Sequence, residues 1–410
     1  MGLLRRCDRG RSWPLAASLC AVVALAAPSG AQTWLERAEL SGDWGGLRGT
    51  LADHGIVVGA SFTGEVARVL DGGVRERSTF HHLLDLNVTF DLELLAGIEA
   101  ATFFVDAYQL SGSEVSEDVG DWQAVSNFDS PHMRQVAECW WEQRFLDDAL
   151  RIKLGKVDAN TEFCVAENAG EFLHSSLAVA PTIAVPTYPD PAGAACAFWS
   201  FGGDWVAAVG CFDGAGQEGL STGGRGLRTF LGAPDDLYLI SELGTRWCHG
   251  EHALAGRAAV GVAHHTGDFS RFDGGTQGAS RSLYATLDQQ LWREDPSDPE
   301  GVQGLTLALL CGLADPDVSE VDRNAAVGLQ RTGLFEGRDD DVVGIGLAWA
   351  GFAHDAGFGE DEELALELVW KVQVTPWLVV RPDLQYVVHP GGDPALDDAF
   401  VGMLRFDVTF

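Results

Sequence analysis

Five side chains capable of chemistry share one alternation between residues 134 and 144: Arg134, Glu138, Trp140, Glu142 and Arg144 all stand at even positions. A few residues on, Arg151 and Lys153 stand at odd positions against Leu150, Ile152 and Leu154. Side chains two apart in a strand share a face. Folding the two segments about a turn near Asp147 therefore brings Glu142 opposite Lys153, on a face that holds four basic groups, two carboxylates and an indole. Lys156 has the opposite parity and is expected to snorkel at an outer interface. The next segment, 159–192, carries Glu162, Glu167, Glu171 and Asp190 with neither Lys nor Arg. Charges grouped this way select solutes at a narrow point of a pore, supply the two carboxylates of glycoside hydrolysis, or merely solvate a surface.

The hydrolytic alternative is a secreted all-β carbohydrate-active enzyme. It needs one carboxyl of raised pKa, whereas Glu138 and Glu142 stand among arginines expected to hold both ionised. With 60 Asp and Glu, such pairs also arise by chance. The chain has no Walker loop and no zinc-type His motif. The doublets His81-His82 and His264-His265 would point to opposite faces of a strand and do not chelate as pairs. Neither enzyme activity, metal nor cofactor is expected.

The elements that would position these residues are strands. Segments of period two recur along the chain, starting near Ile56, Phe80, Glu99, Arg134, Ala149, Gly193, Asp204, Leu237, Ala253, Arg281, Gly301, Asn324, Asp340, Glu363, Trp377 and Ala399, after a short helix near 47–54. That makes about sixteen, an even number, as closed membrane barrels have. Leu84, Leu86, Val88 and Phe90 alternate with Asp85, Asn87, Thr89 and Asp91. The last strand, 399–410, alternates likewise and ends on Phe410. Pro382 calls for a bulge or a local loss of pairing. Connections alternate long and short, as they do when one end of a barrel faces outside and the other the periplasm. Trp199, Trp205, Trp247, Trp292 and Trp377 lie beside the short turns, where an aromatic girdle belongs. Further lumen positions by parity are Asp85, Asn87, Glu242, Asp288, Gln290, Glu367, Lys371, Arg381, Gln385 and Arg405.

The N-terminus reads as a cleaved signal peptide: Arg5, Arg6, Arg9 and Arg11 precede an apolar run from Leu15 to Ala27, then Ser29-Gly30-Ala31. The expected divisions are a signal peptide over 1–31, an N-terminal periplasmic segment over 32–55 and a barrel over 56–410. The run is too short to span a bilayer, and no later stretch reaches about 20 apolar residues. A formal net charge of −33 argues against nucleic acid. Cys139, Cys164, Cys196, Cys211, Cys248 and Cys311 show no metal spacing. Cys196 and Cys211 could meet across a hairpin, with buried free thiols the alternative.

Several motifs resemble one family, the carbohydrate-selective porins of the OprB type. Gly42-Asp43-Trp44-Gly45-Gly46-Leu47-Arg48 resembles the family's opening signature, and the 155–163 stretch, from Gly155-Lys156-Val157-Asp158 to Glu162-Phe163, resembles its strand-to-constriction-loop segment. Tyr188-Pro189, Gly193, Gly337-Arg338-Asp339-Asp340-Asp341, Arg381-Pro382-Asp383-Leu384-Gln385-Tyr386 and His389-Pro390-Gly391-Gly392 follow in the family's order. The resemblance implies an all-β, closed antiparallel transmembrane barrel of about sixteen strands. Its constriction loop would fold inward, and small carbohydrates would diffuse passively across the outer membrane of a Gram-negative-type cell. An acidic loop facing a basic wall would favour neutral, hydroxyl-rich solutes, with Trp140 offering a flat face to sugar C–H groups. Strong acidity and the cysteines depart from the family and leave open a general cation-preferring porin. Partners are small carbohydrates and outer-membrane lipid; monomer and trimer are equally compatible.

Overall fold

Period-two segments become antiparallel strands that close on themselves. The computed structural model describes residues 34–214, 236–250, 252–297 and 301–410, so the signal peptide lies outside the described residues. The barrel strands are β1 (Ile56–Asp71), β2 (Ser78–Asp91), β3 (Ala101–Gly112), β4 (Met133–Phe145), β5 (Leu150–Val157), β6 (Ala192–Phe201), β7 (Trp205–Asp213), β8 (Leu237–His249) and β9 (Leu254–His265). After a small hairpin, β10 (Phe269–Ser270) and β11 (Thr276–Gln277), come β12 (Ser280–Arg293), β13 (Gly304–Ala314), β14 (Val321–Thr332), β15 (Val342–Phe352), β16 (Glu362–Thr375), β17 (Leu378–Val388) and β18 (Ala399–Thr409). Neighbours in sequence pair in the wall, and β1 pairs with β18 to complete sixteen strands. Every expected start falls within three residues of an observed one. One short helix, α1 (Leu47–Asp53), precedes β1.

The outer face is apolar because it meets hydrocarbon: Leu84, Leu86, Val260, Leu368 and Leu404 are all exposed there. At the closing seam Gly64 pairs with Phe406, whose ring lies over it and replaces the missing side chain. Pairing between β16 and β17 stops at Val369–Asp383 and resumes at Val372–Val380, a gap centred on Pro382. Trp199, Trp205 and Trp292 are exposed near the turn end. Trp377 departs from the expected girdle: it is buried, its ring 4.8 Å from that of Trp34 and its Nε1 donating to the Trp34 carbonyl.

Much of the interior is packed rather than open. The connection 158–191 enters the barrel and lays Phe163, Phe172, Leu173 and Leu177 against a wall of small residues, including Ala194, Ala208, Ala308 and Ala348. A Cβ added at Gly328 or Gly346 would come within 2.5 Å of Phe172 or Leu177, so only glycine lets the loop approach this closely. Cys196 and Cys211 do not meet: Cys196 pairs with Gly210 and Cys211 with Ala195, one register step apart and on opposite faces. Among the described residues Cys139, Cys164, Cys196, Cys211 and Cys311 are free thiols.

Candidate constriction of the channel

The turn 146–149 folds β4 against β5 through Leu146, Asp147 and Asp148, all with positive φ, and Glu142 stands opposite Lys153. Where β5 ends, the Asp158 carboxylate accepts from the amides of Asn160 and Tyr188, each at 2.9 Å, and from Thr187 Oγ1 at 2.6 Å. It thereby ties the two ends of the inward loop together. Four residues on, Glu162 meets the wall. Arg151 donates to both its oxygens, at 3.0 and 2.6 Å, and also to Glu142 Oε2 at 2.8 Å. Lys153 Nζ also donates to Glu162, and the Arg151 guanidinium lies 3.7 Å from the Phe198 ring centre. Burial alone raises the pKa of the Glu162 carboxyl, but Lys153 and Arg151 outweigh it and hold the group below its ordinary value.

The other loop carboxylates reach different parts of the wall. Glu167 pairs with Arg246 and lies 3.6 Å from Arg257 Nε. Glu171 takes Lys371 at 2.8 Å and Arg381 at 2.9 Å. Its carboxyl, too, is raised by burial and brought below its ordinary value by Arg381 and Lys371.

Wall carboxylates serve the loop in return by accepting its backbone amides. Glu242 accepts from Cys164 at 2.9 Å, Asp288 from Glu167 and Asn168 at 3.1 and 2.8 Å, and Glu367 from Leu173 and His174 at 2.6 and 3.0 Å. A buried N–H without a partner is costly, so these carboxylates fix where the loop crosses the lumen. His174, wholly buried, has its pKa pushed down by burial to about 3 and stays neutral.

Four expectations at β4 and β5 need correction. Arg134 faces outward: the β3–β4 register shifts between Asp106 and Ala107, a bulge near Ala137 that flips the parity of everything before it. Gln135 takes the inner position instead, bonded to Tyr108. Lys156 is not at an outer interface but buried, donating to Gln135 Oε1 at 2.9 Å and to the Val136 carbonyl at 3.0 Å. Gly155, at φ +140°, breaks the alternation just before it. Trp140 offers no flat face: Lys153 Nζ lies 3.9 Å over the ring, which also stacks on Phe104 at 4.9 Å. Glu138, expected among arginines, instead accepts from Trp140 Nε1 and the Asp158 amide. Arg144 remains in the cluster, 3.3 Å from Glu142.

A second loop, 113–132, also enters the barrel and was missed. Glu363 accepts the amides of Trp122 and Gln123 at 2.8 and 2.9 Å. Gln385 donates to the Val125 carbonyl. Arg405 bridges Glu65, Asn127 and Ser126. The signal was present in sequence: Val115, Val119, Val125 and Phe128 are apolar residues in a connection, and all are buried.

The inner face of β1 to β3 near the turn end stays partly solvated. Ser61, Thr63, Asp85, Asn87 and Asp106 lie there half-buried, with Asn87 donating to Asp85 at 3.1 Å. Opposite, the inner faces of β6 to β9 are covered by the loop. The β1–β3 arc is thus a polar part of the inner wall that the packed loop leaves partly uncovered.

A closed antiparallel barrel, greasy outside and narrowed by a loop folded into its lumen, defines an outer-membrane porin, a channel rather than an enzyme. The chain belongs to the carbohydrate-selective porin, OprB family, whose model matches residues 76–410. It is similar to Porin B of Pseudomonas aeruginosa, 26% identical over 417 residues covering 90% of each chain. A high-pH structure of Pseudomonas putida OprB shares the fold, with a TM-score of 0.80 at 22% identity over 92% of this chain and 99% of that one. The outer-membrane channel DcaP of Acinetobacter baumannii aligns more distantly, at TM-score 0.52 and 8% identity over 87% of this chain and 97% of that one.

Proposed function

We propose that this porin passes small neutral sugars by passive diffusion, exported to the outer membrane by a signal peptide cleaved after Ala31. The observation that carries the reading is the pairing of every glutamate of the inward loop, Glu162, Glu167 and Glu171, with wall cations. Contact pairs leave little net charge at the narrowing but keep strong local dipoles. A solute rich in hydroxyls exchanges hydrogen bonds with such a lining at low cost, whereas an ion sheds hydration without gaining a counter-charge. The discriminating groups are Arg144, Arg151 and Lys153 with Glu142 and Glu162 on one side, and Lys371 and Arg381 with Glu171 on the other. Liposome swelling with a series of mono- and oligosaccharides tests the proposal: permeation should fall steeply with size. Neutralising Arg144, Arg151 and Lys153 together should alter both ion and sugar permeation, and unchanged permeation would remove the charged lining from the mechanism.

A general cation-preferring channel is the second reading, favoured by Asp85 and Asp106 on the solvated arc and by the net charge of −33. Reversal potential in a salt gradient, with and without glucose, separates the two. A strongly cation-selective potential unaffected by sugar supports the second.

A further inference from the structure

The lipid-facing wall is not smooth. A groove of about 620 Å³ crosses it between β15 and β1, and strand register accounts for its course. Val343 pairs with Trp370, Pro382 with Leu404 and Leu404 with Val66, so these outward residues form one row over five strands, across the pairing gap at Pro382. In the next row Gly402 lies between Leu384 and Arg68. A proline and a glycine thus stand where the rest of the wall raises leucines, and the floor is lowered there. Four strand spacings of about 4.8 Å make the row about 19 Å long. Strand tilt carries it upward: Val343 lies at the periplasmic start of β15, whereas Arg68 lies close to the outer end of β1.

Both ends of the groove are defined. Below, the β14–β15 turn, 333–341, folds back on the wall with Leu334 and Phe335 exposed and the Phe335 ring 5.4 Å from that of Trp370. Buried Asp341 fixes this lip, accepting from Arg338 at 2.9 and 2.8 Å, from Trp370 Nε1 at 3.1 Å and from the Gln373 amide at 3.0 Å. Above stands Arg68, exposed on the outer face. It donates to Ser78 Oγ at 3.1 Å and pairs with no carboxylate among the described residues, although the chain holds 60 Asp and Glu. Asp383, the other charged residue at the groove, turns inward and accepts from Gln385. An apolar trench within hydrocarbon, with an unpaired cation at its outer end, offers an amphiphile a place for its tail and another for an anionic head.

We propose that this groove holds one phosphorylated glycolipid of the outer leaflet, with an acyl chain along the Pro382 row and a phosphate on Arg68. The wall of a second copy is convex and would bridge the groove rather than fill it. Native mass spectrometry of the full chain in detergent, supplied with diphosphoryl lipid A, should show one lipid retained per barrel. Dephosphorylated lipid A should bind at least about tenfold more weakly, the equivalent of one charged hydrogen bond. Arg68→Gln should weaken the diphosphoryl form by a similar factor and leave the dephosphorylated form unchanged. Gly402→Leu raises a side chain into the groove and should weaken both forms alike. Arg134→Gln, which removes an outward arginine away from the groove, should bind as wild type does. If Gly402→Leu fails to fold by heat-modifiable gel migration, Val66→Trp fills the same groove from β1. Equal retention of the two lipids by wild type overturns the site, as do wild-type binding in the groove-filling variant and equal losses in Arg68→Gln and Arg134→Gln. A wild type that retains no lipid also overturns it, and migration of that lipid-free form as an oligomer would give the groove to a second copy.

Discussion

Arg151 grips Glu162 through both terminal guanidinium nitrogens, at 3.0 and 2.6 Å, while a third contact at 2.8 Å holds Glu142. One arginine of β5 thus joins the wall to the loop that narrows it. Breaking such a pair from one side leaves the other charge buried and uncompensated, typically at a cost of about 3–5 kcal/mol. Glu162→Gln leaves two buried cations, Arg151 and Lys153, to share the single carboxylate of Glu142, 2.8 and 3.9 Å away. The expected outcome is a loosened loop, seen in planar bilayers as larger and noisier single-channel conductance. Conductance indistinguishable from wild type would mean that the loop is held by its apolar face alone.

Loop docking should also depend on pH through His174. Burial lowers its pKa to about 3, whereas a released loop titrates near the ordinary value of 6.5. The released state therefore binds the proton first as pH falls. Docking is fully supported above about pH 6.5 and weakens progressively below it. Glu162 and Glu171 have depressed pKa values, so their contributions hold above the ordinary 4.5 and fade only as pH falls through their lower docked values. Conductance noise should rise in two stages on acidification. His174→Asn keeps an acceptor for the Ser176 amide, which His174 Nδ1 takes at 3.3 Å, and should abolish the first stage while leaving the second.

The bulge near Ala137 makes a prediction that simple alternation reverses. Arg134 is exposed on the outer face and Lys156 is buried beside Gln135. Arg134→Gln should leave conductance and ion preference as in wild type. Lys156→Met should disturb the Gln135 contact and the loop end near Pro189, which Gln135 also bonds, and shift both properties. Salt-gradient reversal potentials of the two variants check this, and an effect of Arg134→Gln alone would restore the unbulged register.

The outer wall was legible because lipid enforces one simple rule on every second residue, and Leu84, Leu86 and Leu404 obey it. The inner side has no such uniform solvent. Where the loop packs, Gly328 and Gly346 are small because Phe172 and Leu177 need room, a reason visible only once distant segments meet. Glu242, Asp288 and Glu367 have the parity of water-facing lining but accept backbone amides from the inward loop. A bulge adds one residue without a compositional mark, so Arg134 lies on the face opposite to the one that alternation gives, and the backbone turn at Gly155, φ +140°, does the same for Lys156. The loop glutamates were recognisable as a group, but which cation each one meets depends on how far the loop descends.

Closure of the barrel has its own fastening, outside the membrane wall. Arg48 of α1 donates from Nη2 to the Phe410 carbonyl at 2.8 Å and from Nη1 to the Val58 carbonyl at 3.2 Å, so one side chain holds the last residue against the first strand. The Leu40 amide adds a bond to the Thr409 carbonyl at 2.9 Å, and the Phe410 amide one to Ala60. These bonds sit at the β1–β18 seam, where the two chain ends must find each other last in sequence terms. A hydrogen bond from a charged donor contributes about 1.5–3 kcal/mol. Arg48→Ala should lower the temperature at which the folded, fast-migrating form converts on gels, with little change in conductance, because the Arg48 hydrogen bonds go to Ser41, Val58 and Phe410 and to neither inward loop. Arg48→Lys, which cannot span both carbonyls with a planar fork, should recover only part of the loss. A conversion temperature equal to wild type in Arg48→Ala would show that strand pairing alone secures the seam.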